Sequence, residues 1–201
     1  QRFGDRYCCM DKIVMWLKIA VSCLPAMLIG LPLNDWLDKH FYNPTVVALM
    51  LLLYGAGFLF VERYNRSRKP RVNSIASLRW SDALLIGVFQ VLALIPGTSR
   101  SGATILGGIL IGTSREVAAE YTFFLAVPVM FGASLLKIVK FGAISGTELG
   151  VLLVGMAVAF GVSILAIRFL MGYIRKHDFT AFGWYRIGLG LLVLLYFYVI
   201  R

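Results

Sequence analysis

Long apolar segments separated by short polar connections dominate the sequence. Five of these segments reach the length of about 20 residues that a helix needs to cross a bilayer. They are residues 13–33, 44–61, 121–139, 149–170 and 182–200. Pro25 and Pro128 interrupt two of them, which a membrane helix tolerates because neighbouring helices satisfy the freed backbone groups. The pattern predicts five membrane-spanning helices.

One region departs from this pattern. Residues 81–95 are apolar, but as a helix they would be only about 22 Å long, shorter than the hydrocarbon core of about 30 Å. The polar, helix-breaking residues 96–102 follow, and then a second short apolar piece at 103–111. Two half-length helices around a polar break predict a re-entrant hairpin over residues 81–112. Such backbone is tolerated at membrane depth only where it is buried in protein or lines a wet cavity.

The composition agrees with a membrane bundle. The 201 residues are 59% hydrophobic and 15% charged, whereas soluble domains are nearer half apolar and a quarter charged. The expected fold class is therefore an all-α polytopic membrane protein, with a single membrane-embedded domain over residues 1–201. The net charge is +10. Because this charge lies in short loops, it indicates the positive-inside bias of membrane proteins rather than nucleic-acid binding.

The charged loops also orient the bundle. Residues 62–80 carry six Lys or Arg and one acid, and residues 168–178 are basic as well, so both loops are predicted to be cytoplasmic. The loops 34–43 and 140–148 are then predicted outside, and 113–120 inside. Both ends of the predicted hairpin therefore face the cytoplasm, as a re-entrant segment requires.

The chain offers few residues for thiol or metal chemistry. Cys8, Cys9 and Cys23 are odd in number and two of them are adjacent, so no disulfide framework is expected. His40 and His177 are the only histidines, and no zinc-binding spacing occurs. The sequence therefore predicts no metal site built from this chain alone.

Residues 96–104, PGTSRSGAT, form the only dense polar cluster inside an apolar stretch. Arg100 is the residue that most strongly indicates a function for this cluster, because a charged side chain within a membrane is costly and is by default functional. Its planar guanidinium matches phosphate oxygens bidentately. The cluster adds hydroxyl groups and two glycines that allow close backbone approach, namely those of Thr98, Ser99, Ser101 and Thr104 and of Gly97 and Gly102. The cluster predicts a site for phosphate or another oxyanion, and the structural alternative is helix packing with Arg100 reaching an interface.

Two common kinds of phosphate site do not fit. Gly97 to Thr104 have the spacing of a nucleotide-binding P-loop, but Ala103 stands where that loop needs a lysine, and no soluble strand precedes it. In the lipid phosphatases that use a nucleophilic histidine, five residues separate a Ser-Arg pair from that histidine. Leu106 and Tyr121 stand at the corresponding places.

The segment PGTSRSGATILGG, preceded by IGVFQVLALI and followed by GTSREVAAEYTFFLAVPVMFGA, resembles a signature region of the bacterial undecaprenyl-diphosphatase family, also known as bacitracin resistance proteins. The similarity extends over essentially the whole chain, including FYNPTVVALM and the closing YRIGLGLLVLLYFY. The resemblance implies a multi-pass enzyme of the bacterial inner membrane that hydrolyses undecaprenyl diphosphate and so recycles the lipid carrier for peptidoglycan. It also implies two inverted repeats, each with a re-entrant helix pair.

The resemblance assigns roles to particular residues. Arg100 and Ser99 are expected to be catalytic, and the remaining polar cluster with Gln90 is expected to bind substrate phosphate. A divalent cation, Mg or Ca, is expected from the family, with its carboxylate ligands outside this chain. The glutamate-rich element and the Ser-Ser-Thr-Gly-His run of the family's first repeat do not occur here. The chain is therefore expected to be the C-terminal portion of such a protein, lacking the N-terminal repeat.

Some alternatives stay open at this level. A nucleophilic serine and a metal-activated water both fit the polar cluster. Broken helices that bind anions are also a transporter design, so a polyprenyl-phosphate flippase or a non-catalytic fragment remains a rival reading. Undecaprenyl diphosphate and membrane lipids are the expected partners, and a homodimer is left open. Glu120 is expected to cap the helix or to pair with Arg115.

Overall fold

The computed structural model describes residues 2–141 and 145–200, and within these ranges the fold consists of helices. Their order is α1 (Arg2–Phe41), α2 (Pro44–Asn65), α3 (Trp80–Val91), α4 (Arg100–Leu110), α5 (Arg115–Phe141), α6 (Gly146–Ile174) and α7 (Thr180–Leu195). A 3-10 turn, Leu92–Leu94, follows α3, and a π-helical turn, Tyr196–Ile200, follows α7. Among the described residues, five helices are long and apolar enough to cross a membrane. The predicted fold class and number of spans are therefore confirmed.

Two helices extend beyond their apolar segments. The 40 residues of α1 run through Pro25 and Pro32 to Phe41, so most of the loop predicted at 34–43 is helical. The α6 helix ends at Ile174 and includes Arg168, which was also predicted to lie in a loop. Hydropathy marks the membrane-buried part of a helix, but its backbone hydrogen bonds continue into polar sequence. Near the end of α1, His40 Nδ1 lies 2.9 Å from the Trp36 carbonyl oxygen, one turn away.

Local hydrogen bonds set the limits of the two short helices. At the start of α3, the Arg79 N–H donates to the Asp82 carboxylate at 3.0 Å. Its 3-10 extension stops at Ile95, whose ψ of 124° is extended, because a residue before proline avoids helical conformation. The α4 helix begins at Arg100, three residues earlier than predicted, because the Ser99 hydroxyl accepts the Gly102 N–H at 3.2 Å and caps the helix.

The two ends of the α3–α4 hairpin meet at one short backbone pairing. Val72 and Thr113 form an isolated parallel bridge, and the Ser114 N–H donates to the Val72 carbonyl at 2.9 Å. The Arg71 guanidinium bonds to the Asp82 carboxylate at 2.6 Å, which joins the start of α3 to the same place. The hairpin thus enters and leaves on one side of the bundle, as the re-entrant prediction requires.

Small residues allow the hairpin and its neighbours to pack closely. A Cβ added at Gly87 of α3 would lie 2.4 Å from the Ser22 carbonyl oxygen of α1. A Cβ added at Gly55 of α2 would lie 2.9 Å from the Gly183 carbonyl oxygen of α7. Helix α4 packs between α2 and α5, where Ile105, Leu106 and Ile109 are buried. In contrast, residues 145–169, which include most of α6, are exposed throughout.

Candidate functional site

The candidate site is the turn between α3 and α4, which packs against α2. Gly97 has a φ of +88°, a conformation that side chains rarely adopt. A Cβ at this position would also lie 2.6 Å from the Val47 Cα atom of α2. Gly97 is therefore required twice, for its backbone conformation and for the close approach of two chains. This turn places Ser99 and Arg100 at the N-terminus of α4.

Arg100 is the first residue of α4 and is partly buried. Its guanidinium lies in the neighbourhood of Cys23 of α1. Cys23 is a free thiol, whereas the side chains of Cys8 and Cys9 lie outside the described part of the chain. Within that part, no carboxylate pairs with Arg100.

Arg186 of α7 is a second arginine at the same place, and the sequence analysis did not select it. Its Nη2 atom would lie 3.2 Å from a Cβ added at Gly102, in the first turn of α4. Its Nη1 atom is buried and has no hydrogen-bond partner among the described residues, and the guanidinium carbon lies 5.7 Å from the centre of the Phe58 ring. The signal was present, because Arg186 is a lone charge in the apolar segment 182–200.

The two arginines give the site an uncompensated positive charge. The ion pairs found in the described part of the chain, Arg71 with Asp82 and Arg115 with Glu62, involve neither of them. The free N–H groups and dipole at the start of α4 add to the positive potential. An arginine held away from water without a partner is costly, and an anion bound here would remove that cost.

The hydroxyl groups of the cluster divide into two sets. The Ser99 and Ser101 hydroxyl oxygens lie 3.1 Å apart beside the start of α4. Thr104 is fully buried, and its hydroxyl donates to the Arg100 carbonyl at 3.0 Å while it accepts the Thr122 hydroxyl of α5 at 3.0 Å. In this structure Thr104 therefore ties α4 to α5, and its contact with phosphate stays a prediction.

Two further predicted residues lie in the interior. Thr98 is buried, and its hydroxyl has no hydrogen-bond partner among the described residues. Gln90 of α3 is only 2% exposed, and neither atom of its amide has a partner among the described residues. A buried amide without partners costs about 1–3 kcal/mol, which makes Gln90 a candidate ligand-binding residue.

The residues of the site do not form a metal centre. In residues 2–141 and 145–200, as far as their side chains are described, no group of three His, Cys, Asp or Glu side chains could hold an ion. The site itself is lined by guanidinium, hydroxyl and amide groups, which are cationic or neutral and are poor ligands for Mg²⁺ or Ca²⁺. The divalent cation was expected to have its carboxylate ligands outside this chain, and it stays a prediction.

One predicted contact is wrong. Glu120 is exposed and does not pair with Arg115. Arg115 instead pairs with Glu62, which the sequence analysis placed in a loop and which is a buried residue of α2. Residues five apart on a helix do not share a face, because neighbours on the helix surface are three or four residues apart.

Helices of membrane-spanning length around a broken hairpin define an integral membrane protein, and the two unpaired arginines near the start of α4 mark a candidate anion site. Residues 3–192 match the family described as bacitracin resistance protein BacA. The chain belongs to this family. With its five apolar helices, this membership places the chain in the bacterial inner membrane as a multi-pass protein.

Individual relatives extend over nearly the whole chain. An undecaprenyl-diphosphatase of Acetivibrio thermocellus is 59% identical over 192 residues, which cover 95% of this chain and 71% of the relative. Undecaprenyl-diphosphatase 1 of Clostridium acetobutylicum is 54% identical over 199 residues, 98% of this chain and 73% of the relative. An undecaprenyl-diphosphatase of Streptococcus mutans is 59% identical over 186 residues, 90% of this chain and 66% of the relative.

Proposed function

We propose that this chain hydrolyses undecaprenyl diphosphate to undecaprenyl phosphate and inorganic phosphate. The reaction returns the lipid carrier to peptidoglycan synthesis and confers resistance to bacitracin. The names of the relatives support this activity. The structural observation that carries it is the pair of arginines without carboxylate partners at the start of α4.

The arginines would hold the diphosphate of the substrate. Arg100 projects from the first turn of α4, and Arg186 reaches the same turn from α7. Two guanidinium groups offer forked N–H donors to the oxygens of adjacent phosphates. Since charge redistributes over these oxygens as the bond between the phosphates breaks, donors fixed in advance stabilise the transition state. We assign this catalytic role to Arg100 and a diphosphate-binding role to Arg186.

Ser99 and the small residues around it would position the terminal phosphate. The Ser99 hydroxyl accepts the Gly102 N–H and lies beside Ser101, so both hydroxyl groups are available to phosphate oxygens. No His, Asp or Glu of the described side chains makes a hydrogen bond to Ser99 that would remove its proton. We therefore assign Ser99 to binding a phosphate oxygen at the reacting group rather than to nucleophilic attack.

Gly97, Thr98, Gly102 and Gln90 complete the proposed binding site. Gly97 lets the turn pack against α2, and Gly102 leaves room for the Arg186 guanidinium. The unpaired amide of Gln90 offers both a donor and an acceptor. Thr104 would affect substrate binding indirectly. Its hydroxyl donates to the Arg100 carbonyl and so stabilises the first turn of α4.

Phosphate release from undecaprenyl diphosphate in detergent micelles, without an ion gradient, tests the proposal. We expect Arg100→Lys to keep the charge but lose the planar fork, and to lower kcat by at least about 10²-fold, the scale of losing one preorganised donor. Arg100→Ala should be at least as severe. Arg79→Lys, in the exposed loop before α3, is the control and should retain activity.

The assay also separates the rival functions. Near-normal release by Arg100→Lys would show that the hairpin turn is not the reacting site. Absence of phosphate release in micelles, together with movement of the lipid between the leaflets of reconstituted vesicles, would indicate a transporter, and the proposal of hydrolysis would be wrong.

A further inference from the structure

A second concave site lies at the base of the hairpin, away from the arginines at its tip. A cavity of about 1050 Å³ opens between the end of α2, the segment around Asn73, the start of α5 and the connection from α6 to α7. Asn73 and Ser114 belong to it, and they adjoin the pairing of Val72 with Thr113. The 11 residues of α4 separate this end from Arg100 by about 16 Å. We call this space the basal cavity.

A buried ion pair forms one wall of the basal cavity. Glu62 is 5% exposed, and Arg115 Nε donates to both of its carboxylate oxygens at 3.0 Å. The Phe179 N–H donates to the same carboxylate at 3.2 Å. Three chain segments are thus joined at one point, and the negative charge of Glu62 is already neutralised. The wall is part of the folded structure rather than a loose arrangement of surface chains.

The rest of the lining is mainly cationic. The acids besides Glu62 are Glu116 and Asp178, and the Asp178 carboxylate already accepts the Thr180 N–H at 3.2 Å. The basic side chains come from two separate segments, and they are Arg63, Arg66, Arg68, Arg175 and Lys176. None of these five forms an ion pair within the described part of the chain. Their donors are therefore available to an anion.

The basal cavity also borders the membrane. Trp184, near the start of α7, belongs to its lining and is 62% exposed. Tryptophan at the end of a spanning helix is typical of the level of the lipid headgroups. The charge of the loops predicts that this end faces the cytoplasm, where the leaflet is rich in anionic lipid.

We propose that the basal cavity binds the phosphate group of an anionic phospholipid of the cytoplasmic leaflet. Arg66 and Arg175 approach it from different segments and supply forked donors to the phosphate oxygens, while Trp184 lies beside the glycerol and acyl region. Basic pockets between spanning helices bind lipid headgroups in this way. Free phosphate has the same charge chemistry, but it would not use the membrane side of the cavity. The proposal does not depend on the reaction at the hairpin tip.

Native mass spectrometry of the full chain, titrated with phosphatidylglycerol in detergent, tests the proposal. We expect one lipid to bind more tightly than phosphatidylcholine does, because the choline ammonium repels the basic lining. The double variant Arg66→Gln/Arg175→Gln should weaken phosphatidylglycerol binding about tenfold, since it removes two charge-assisted contacts. The thermal unfolding midpoint of each variant, measured without lipid, checks that the fold is kept, and Arg175→Gln alone is the milder second variant.

A matched control distinguishes a specific lipid-binding site from general electrostatic attraction between basic residues and anionic lipid. The double variant Lys69→Gln/Arg79→Gln removes two exposed charges from the same loop, outside the lining, and should change the affinity less than about twofold. If the two double variants weakened phosphatidylglycerol binding equally, the binding would depend on diffuse surface charge, and the proposal would be overturned. Displacement of the lipid by an equal concentration of inorganic phosphate would also overturn it, in favour of a site for free phosphate.

Discussion

The arginines at the two ends of the α3–α4 hairpin differ in whether they are paired with a carboxylate. At the base, Arg71 pairs with Asp82 and Arg115 pairs with Glu62, and both carboxylates are buried. At the tip, Arg100 is the first residue of α4 and Arg186 lies beside Gly102 in the same turn, and among the described residues neither arginine forms an ion pair. An arginine whose partner is part of the chain holds helices together. An arginine without a carboxylate partner in the chain is available to bind an anion.

The comparison predicts different costs of substitution at the two ends. Breaking a buried pair leaves an unpaired charge that destabilises the fold. Removing an unpaired arginine takes away a charge that the fold had to tolerate, so stability should hold while substrate binding is lost. Stability and activity should therefore respond separately, and measuring both properties on the same variants tests the distinction.

The largest effect on stability is expected at Glu62. Glu62→Gln leaves Arg115 without a counter-charge at a junction of three segments. Because the Arg115 side chain is 35% exposed, solvent screens part of the cost, and the free energy of unfolding should fall by about 1–3 kcal/mol. Unfolding followed in detergent measures the loss. Glu116→Gln removes an exposed carboxylate of the same region and should be neutral. If Glu62→Gln were as stable as the native chain, the basal pair would not be a structural bond.

Arg186 should behave like Arg100 and unlike the basal arginines. We expect Arg186→Lys to lower kcat/KM for undecaprenyl diphosphate by about 10- to 100-fold, because a single ammonium replaces a forked donor. The unfolding midpoint should stay within a degree or two of the native value, since no ion pair is broken. A large drop in stability with normal turnover would show that Arg186 stabilises the fold and does not bind the substrate.

Gly102→Ala is the mildest way to perturb the tip. The added Cβ would lie 3.2 Å from Arg186 Nη2 and 3.3 Å from the Ser99 Cβ, so the guanidinium has to shift by a few tenths of an ångström. Alanine in a helix also gains up to about 1 kcal/mol over glycine. We expect a slightly more stable protein with turnover reduced about two- to tenfold. Unchanged turnover would show that the position of Arg186 is not critical.

Hydropathy and helix breakers were sufficient to predict the spans and the hairpin. The polar run around Arg100 identified the candidate site, because so many hydrogen-bonding groups are unusual between apolar segments. Arg186 was missed although it is also a charge in an apolar segment, because it has no polar neighbours in sequence. Only the packing of α7 against α2 brings it to α4. The family assignment made from the motif is confirmed by the match over residues 3–192.

Glu62 shows what local sequence patterns cannot provide. A charged residue at the end of an apolar run looks like the beginning of a loop, and its partner Arg115 is 53 residues away. Hydrogen bonding continues α2 past it to Asn65. Contacts between residues so far apart depend on how the helices pack, and neither periodicity nor charge counting contains that information.

The pairing of Val72 with Thr113 has a consequence for how the protein is made. Since the hairpin returns to the side from which it starts, its insertion requires no polar loop to be carried across the bilayer. The pairing of Val72 with Thr113 joins the two ends of this segment in the folded protein. Arg186 belongs to α7, which follows the hairpin in the chain by about 70 residues of sequence. The tip of the hairpin therefore acquires its second arginine only after α7 has been synthesised and has packed against α2.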